Sequence, residues 1–370
     1  MEKSKKIICI FGTRPEVIKM APIISSLEKK PWVNLKVLAT AQHREMLDEL
    51  VLFFNIKIDY DLNIMKKNQT LSEITSKIIS KVDFILKKEL PDLVIVQGDT
   101  TTVMASVLAT FYNQIKIAHV EAGLRTNNIY NPFPEEANRI LVSKLADFNF
   151  APTEHSFENL LKENVIKDKI YLTGNTVIDS LLETSKRVAT LPKKFLFLSK
   201  KKIILITFHR RENLGTPLKN LCEAIKSLSK IYPNIHFIFS VHPNPHFKDF
   251  IYNELSDIHN VHLTEPLIYM DFVSVISNSY LILSDSGGLQ EEAPALSVPV
   301  LVLRETTERP EAIDHGVAKL IGTYKDNIVK NVSDLLNDNN LYSTMAKGAS
   351  PYGDGKAAER ICKIIEDNIK

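Results

Sequence analysis

Apolar residues come along this chain in short unbroken runs rather than in alternation, and longer amphipathic stretches separate the runs. In the first half they are Ile7–Phe11, Leu35–Thr40, Leu93–Asp99, Lys116–Glu121, Phe148–Thr153 and Ile170–Gly174. In the second half they are Lys202–Phe208, His236–Pro243, Val261–Pro266, Leu281–Ser286, Pro299–Glu305 and Ala318–Gly322. A strand buried on both faces reads this way, because it has no solvent-facing side to carry polar residues. Strand-like and helix-like segments alternate throughout, which predicts two doubly wound, Rossmann-like α/β domains. We place them at residues 1–175 and 176–355, with an amphipathic helix at 356–370 packing back on the first. The polar, Lys-rich segment from Ser185 to Lys202 reads as the crossing between them.

Nearly every run ends in a residue able to bind or react: Arg14, Gln42 and His43, Asp99, Glu121, Thr153, Asn175, His209, His242, Glu265, Asp285 and Arg304. In open α/β sheets ligands bind beyond the carboxyl ends of the strands. Two such domains facing a cleft would present both rows to one ligand.

Bulk composition narrows the partners. With 370 residues and 44% hydrophobic content, each domain is large enough to bury a core of its own. A formal net charge of +2 argues against nucleic acid or an anionic membrane as partner. The basic start, MEKSKK, precedes an apolar run too short for a signal peptide or a membrane span. Cys9, Cys222 and Cys362 lie in apolar or helical patterns without metal-like spacing, as expected of a cytoplasmic protein that holds no metal.

The candidate chemistry sits in the turns. In LILSDSGGLQEEAP, Leu281 to Pro294, an apolar run meets Ser-Asp-Ser-Gly-Gly and then a helix-forming segment. Such a turn aims unpaired N–H groups and the positive end of a helix at an anion, and Gly287 and Gly288 leave the backbone open to it. Ser286 stands at the helix start, and Glu291 or Glu292, one turn in, could accept from ribose hydroxyls. An ordinary βα turn would show the same pattern. FGTRPEVIKMAP is a second strand–turn–helix unit, in which Arg14 and Lys19 are in reach of a diphosphate. QGDTTT puts Asp99 at a strand end, as an acid–base group or as a helix cap. HVEAGLRT supplies Glu121, and PFPEEANR supplies Glu135 and Glu136. Carboxylates gathered from successive loops raise one another's pKa, which is how one becomes an acid while another stays a base. TFHRREN ends in His209, Arg210 and Arg211, and a strand-end histidine there is either structural or a proton carrier. The prolines of HPNPH (His242–His246) forbid a regular helical histidine pair, and RETTERPEA adds Glu308 and Arg309 as nucleotide contacts or a polar turn. Serine-triad, HExxH, Walker and GxGxxG signatures do not occur.

FGTRPEVIKMAP, QGDTTT, HVEAGLRT, PFPEEANR, TGNTVIDSL, FHRREN, SDSGGLQEEAP and ERPEA occur in one order across most of the chain. Together they closely resemble the non-hydrolysing UDP-N-acetylglucosamine 2-epimerases. The resemblance implies a two-domain GT-B type fold, a cytoplasmic homodimer, no cofactor, and interconversion of UDP-GlcNAc with UDP-ManNAc, a sugar used in surface polysaccharide synthesis. It implies anti elimination of UDP to 2-acetamidoglucal, followed by re-addition. By motif match Asp99, Glu121, Glu135 and His209 form the catalytic set, without a choice between Asp99 and Glu121 as the C2 base. Ser286 and Glu292 match the phosphate and ribose contacts, and Arg14, Lys19, Gly287, Gly288 and Arg309 complete the candidate substrate-binding set.

Relatives are often regulated by substrate at a second site, and Gln42, His43, Arg210 and His242 match part of it. The family's QHRQ reads QHRE here, and Asn68 replaces an expected arginine before Gln69, which predicts weakened substrate activation. The competing readings are a hydrolysing 2-epimerase, an epimerase of a modified UDP-HexNAc, a GT-B glycosyltransferase and a non-catalytic sugar-nucleotide sensor. The carboxylates of the first domain stand where a transferase needs an apolar or basic acceptor surface.

Overall fold

A computed structural model describes residues 4–40, 44–65, 69–348 and 350–370. Gln42, His43 and Asn68 lie outside these, so two of the residues matched to a regulatory site have no structural account. The chain runs β1 (Lys5–Phe11), α1 (Arg14–Glu28), β2 (Val33–Ala39), α2 (Arg44–Phe53), β3 (Tyr60–Asp61), α3 (Leu71–Glu89), β4 (Leu93–Gln97) and α4 (Thr101–Tyr112). It continues through β5 (Lys116–Val120), α5 (Glu135–Leu145), β6 (Phe148–Ala151), α6 (Glu154–Lys162), β7 (Ile170–Leu172) and α7 (Thr176–Arg187). The second half comprises β8 (Lys202–Phe208), α8 (Thr216–Ile231), β9 (Ile235–Val241), α9 (Pro245–Leu255), β10 (Val261–Thr264), α10 (Tyr269–Ser277) and β11 (Leu281–Ser284). It ends with α11 (Gly287–Ala295), β12 (Val300–Val302), α12 (Pro310–Asp314), β13 (Ala318–Leu320), α13 (Lys325–Asn337), α14 (Asn339–Met345) and α15 (Ala357–Ile369).

Two compact units result: Met1–Ser180 with Tyr352–Lys370, and Leu181–Pro351. The first holds a seven-stranded sheet in the order β3-β2-β1-β4-β5-β6-β7, the second a six-stranded sheet in the order β10-β9-β8-β11-β12-β13. Every pairing is parallel. Both units are therefore Rossmann-like, and all twelve apolar runs form strands. The two-residue β3 carries too short a pattern to be read from sequence.

The core explains why the runs are continuous. β4 is buried along its whole length, as is β8 from Ile203 to Phe208, because helices cover both faces of each sheet. α15 supplies part of that cover in the first unit, where it lies against α1 with Cys362 buried. The segment expected to cross between domains behaves otherwise. Phe195 and Leu198 are buried, and Lys194 donates to Thr264 Oγ1 at 2.8 Å, so it packs on the second unit. The division falls inside α7, at Ser180 and Leu181. Among the described residues no helix is long and apolar enough to cross a membrane.

Strand order sets the location of chemistry. In the first sheet the order reverses between β1 and β4, and in the second between β8 and β11. A crevice opens beyond the strand ends at such a switch point, since the flanking helices lie on opposite faces. The turns after these four strands are FGTRPE, QGDTTT, FHRREN and SDSGG.

Candidate active site

At the first switch point, α1 begins with a capping box. Glu16 accepts from Gly12 N at 2.5 Å and Thr13 N at 3.2 Å, and Thr100 Oγ1 donates to it at 2.6 Å. The helix start is thus filled by the chain's own carboxylate. Glu16 is 2% exposed, and burial raises its pKa to about 7 despite these bonds. Arg14 is the first residue of α1 and is exposed.

Lys19, one turn further, reaches both oxygens of Glu121 at 2.6 Å. Glu121 also accepts from Gln97 Nε2 and, at 3.0 Å, from Asn175 Nδ2. Its backbone sits at φ 64°, a left-handed conformation that costs an L-residue of order 1–2 kcal/mol. Donors from α1, β4 and the turn before α7 hold it there. His119, buried on β5 and kept neutral by a pKa that burial lowers to about 4, bonds Gly98 O through Nε2 at 2.8 Å. That contact steadies the turn that carries Asp99.

Asp99 has a different environment. Arg139 approaches its Oδ2 from Nε at 2.9 Å and from Nη2 at 2.6 Å, and Asn138 donates to its carbonyl at 2.8 Å. Burial and the charge of Glu121 nevertheless outweigh Arg139 and Lys19, and the Asp99 pKa is raised. One carboxylate is pinned by an ammonium while its neighbour is biased toward holding a proton. Glu136 is wholly buried and accepts from Thr126 N at 2.9 Å, Asn127 N at 3.1 Å and Arg139 Nη1 at 2.9 Å, so it positions Arg139. Glu135, at the start of α5, is partly exposed and makes no side-chain hydrogen bond or ion pair among the described residues.

At the second switch point, Thr207 of β8 pairs in register with Ser284 of β11, and their hydroxyls meet at 2.6 Å. The next residue, Asp285, is fully buried. Its Oδ2 accepts from His209 N, Arg210 N and Asn213 Nδ2, each at 2.9 Å, and its Oδ1 lies 2.9 Å from His209 Nδ1. Burial pushes Asp285 up, but the His209 side chain and the two backbone N–H groups prevail and hold its pKa below the ordinary value. The Asp285 carboxylate therefore faces the Nδ1 edge of the half-exposed His209 ring. His242 stacks near His209, with ring centroids 6.3 Å apart, and accepts at Nδ1 from Asn244 N.

α11 starts at Gly287 and, unlike α1, has no acid in its first turn and no side-chain cap bond from Ser286. Glu292 reaches back over it: a Cβ built on Gly288 would meet Glu292 Oε1 at 3.6 Å and Ser286 Oγ at 3.9 Å. Glu291 is instead buried and bonded to Arg309 Nε. Thr307 Oγ1 donates to Gln290 Oε1 at 2.6 Å, which ties the loop after β12 to α11.

The structure therefore gathers Lys19, Asp99 and Glu121 in one network and His209 beside the Ser286–Gly288 turn. It pairs Arg309 with Glu291 and Arg210 with Glu308. The motifs do not reveal Gln97 and Arg139, nor the partnering roles of Glu136, Asn175 and Asp285. Asn175 and Asp285 at least carried the strand-end signal, whereas Gln97 closes an apolar run and Arg139 sits within a quoted motif.

A family model described as UDP-N-acetylglucosamine 2-epimerase matches residues 25–366. The UDP-N-acetylglucosamine 2-epimerase of Neisseria meningitidis serogroup A is 50% identical over 370 residues, covering 98% of this chain and 100% of that protein. A crystal structure of UDP-GlcNAc 2-epimerase from Neisseria meningitidis bound to UDP-GlcNAc gives a TM-score of 0.87 at 49% identity, covering 98% of this chain and 100% of the other. The glycotransferase of kitacinnamycin, at 11% identity and a TM-score of 0.66 over 100% of both chains, shares the fold alone.

Two measurements probe these networks. Between pH 4.5 and about 7 the folded chain holds a proton on Glu16 that the unfolded chain releases, so stability falls as pH rises through that window. The loss is on the order of 3 kcal/mol. Glu16→Gln should flatten this slope in urea titrations across the window, and a slope equal to wild type would contradict the assignment. In ¹⁵N NMR, His209 should carry its proton on Nδ1, and Asp285→Asn should give mixed tautomers; an unaltered signal would show that Asp285 does not orient the ring.

Proposed function

Because the chain belongs to the UDP-N-acetylglucosamine 2-epimerase family, we propose that it interconverts UDP-GlcNAc and UDP-ManNAc by the non-hydrolysing route. The observation that supports this most is the pair of unlike carboxylates, Glu121 held by Lys19 and Asp99 with a raised pKa. Proton removal from sugar C2 needs a base that can hold the proton it takes, and Asp99, whose pKa is raised even with Arg139 beside it, suits that task; the proton returned to the opposite face comes from a second group of the catalytic set. We assign Asp99 as the C2 base and Glu121 as its charged, sugar-orienting neighbour, with Glu135 and His209 completing the catalytic set.

The electron pair of the C2–H bond becomes the C1=C2 double bond as the C1–O bond breaks. UDP departs with the C1–O electrons, leaving 2-acetamidoglucal. Return of a proton to the other face of C2 and attack of the β-phosphate oxygen on C1 give the epimer. The departing diphosphate needs positive charge, which the start of α11 at Ser286, Gly287 and Gly288 supplies in the second unit, and Arg14 is the substrate contact offered by the first. Lys19 balances Glu121. Glu292 serves as the ribose ligand and Arg309 as a further nucleotide contact.

The same reading makes the enzyme a cytoplasmic homodimer. Exposed Phe84, Phe111, Tyr112 and Leu141 on the neighbouring helices α3, α4 and α5 support an oligomer. Arg210, which also faces the start of α11 through Glu308, and His242 belong to a regulatory substrate site weakened by the departures at Glu45 and Asn68.

Incubation with UDP-GlcNAc in deuterated water, followed by NMR, should show deuterium at C2 of intact UDP-sugar and formation of UDP-ManNAc. Free ManNAc with UDP would indicate a hydrolysing enzyme, and no exchange would sink the assignment for this substrate. Asp99→Asn should lower turnover by roughly two to four orders of magnitude. Near-normal turnover would remove Asp99 from the mechanism. Light scattering should return twice the chain mass; a monomer at micromolar concentration would refute the dimer.

A further inference from the structure

The start of α11 holds an anion supplied by the chain itself. A Cβ built on Gly287 would meet Glu308 Oε1 at 2.9 Å, so this carboxylate lies directly over the first residue of the helix. Glu308 comes from the loop that follows β12, twenty-one positions further along the chain. Arg210 Nη2 donates to its Oε1 at 2.7 Å, and Arg304 Nη1 bonds its Oε2. Both guanidinium groups belong to turns beyond strand ends of the same sheet. Arg210 is anchored through Nε, which donates to Asp285 O at 2.9 Å. Two arginines and a helix start therefore converge on one carboxylate, the arrangement of donors that suits a phosphate.

Elsewhere in this unit such demands are met differently. Glu291, on the second turn of α11, is committed to Arg309. Glu292 leans over Gly288. Glu308 alone is borne on a loop and sits over Gly287. Its pKa is informative: burial raises it, but the bond from Arg304, its own backbone N–H and the charges of Arg210 and Arg304 overcome burial and hold it down to about 2. At any working pH it is an anion.

We propose that Glu308 is a resident surrogate for the substrate's phosphate, holding Arg210 and Arg304 at the start of α11 until the diphosphate of a UDP-sugar displaces it. The inference rests on the reading of this turn as the nucleotide phosphate site. Its physical content is an exchange of anions. A diphosphate arriving at Gly287 meets a carboxylate of like charge already paired with the donors it needs, and like charges brought together repel. The carboxylate must withdraw, and Arg210 and Arg304 pass to the phosphate oxygens. In the absence of substrate it holds Arg304 in place and, together with Glu212, Arg210. Glu308 is thus a positioning residue that limits affinity for the nucleotide.

The direction of the effect separates this role from an ordinary binding contact. By isothermal titration calorimetry with UDP, Glu308→Gln should lower the Kd by about fivefold or more relative to wild type, with circular dichroism confirming the fold. A Kd that is unchanged or raised while wild type binds UDP would overturn the inference and leave the nucleotide reading intact. Failure of wild type to bind UDP would overturn both. Crystals of the wild-type chain grown with UDP provide a test that needs no variant. Glu308 should have left Gly287, with phosphate oxygens bonded to Arg210 or Arg304; Glu308 still over Gly287 beside bound UDP would contradict the exchange.

Discussion

Parallel strands buried on both faces leave a protein only one place to put polar chemistry, the turns beyond their carboxyl ends. Everything functional in this chain follows from that constraint. β1 and β4 in one unit, and β8 and β11 in the other, are the neighbours between which strand order reverses. Their register brings turns distant in sequence together. The Thr207–Ser284 pairing sets His209 against Asp285, seventy-six positions apart. Without that alignment the imidazole would lack its orienting carboxylate.

The two switch points use one local device with opposite results. Both α1 and α11 follow a strand through a short turn, and both present N–H groups and a positive helix end. α1 has glutamate at its third position, and Glu16 folds back to satisfy the helix start and to bond Thr100. α11 has Leu289 there, so its start depends on groups from outside the helix. One residue type separates a turn sealed by its own carboxylate from a turn suited to a phosphate. Under the proposed function the first unit carries the proton chemistry, on Asp99 and Glu121, and the second the anion recognition.

Much of the fold was legible because continuous apolar runs report two-faced burial directly. β3 escaped for want of length, and the Ser185–Lys202 segment misled because its lysines mask Phe195 and Leu198, which are buried. The site was legible by residue type at strand ends. Partnerships were not. Spacing puts Lys19 in reach of a phosphate but does not reveal that its ammonium also bonds a carboxylate 102 positions away. Glu121 is held by donors from α1, β4 and the turn before α7, a convergence that only the folded sheet order creates. Glu135 and Glu136 look equivalent in PFPEEANR, yet helix phase buries one against Arg139 and leaves the other partly open.

The central claim is that UDP leaves and returns while the N-terminal carboxylates exchange the C2 proton. Positional isotope exchange tests it most directly, using UDP-GlcNAc labelled with ¹⁸O in the bridge between C1 and the β-phosphorus. The account predicts that ³¹P NMR will show the label spreading to non-bridging β-phosphate positions as epimerisation proceeds. Epimerisation with the label fixed in the bridge would contradict it.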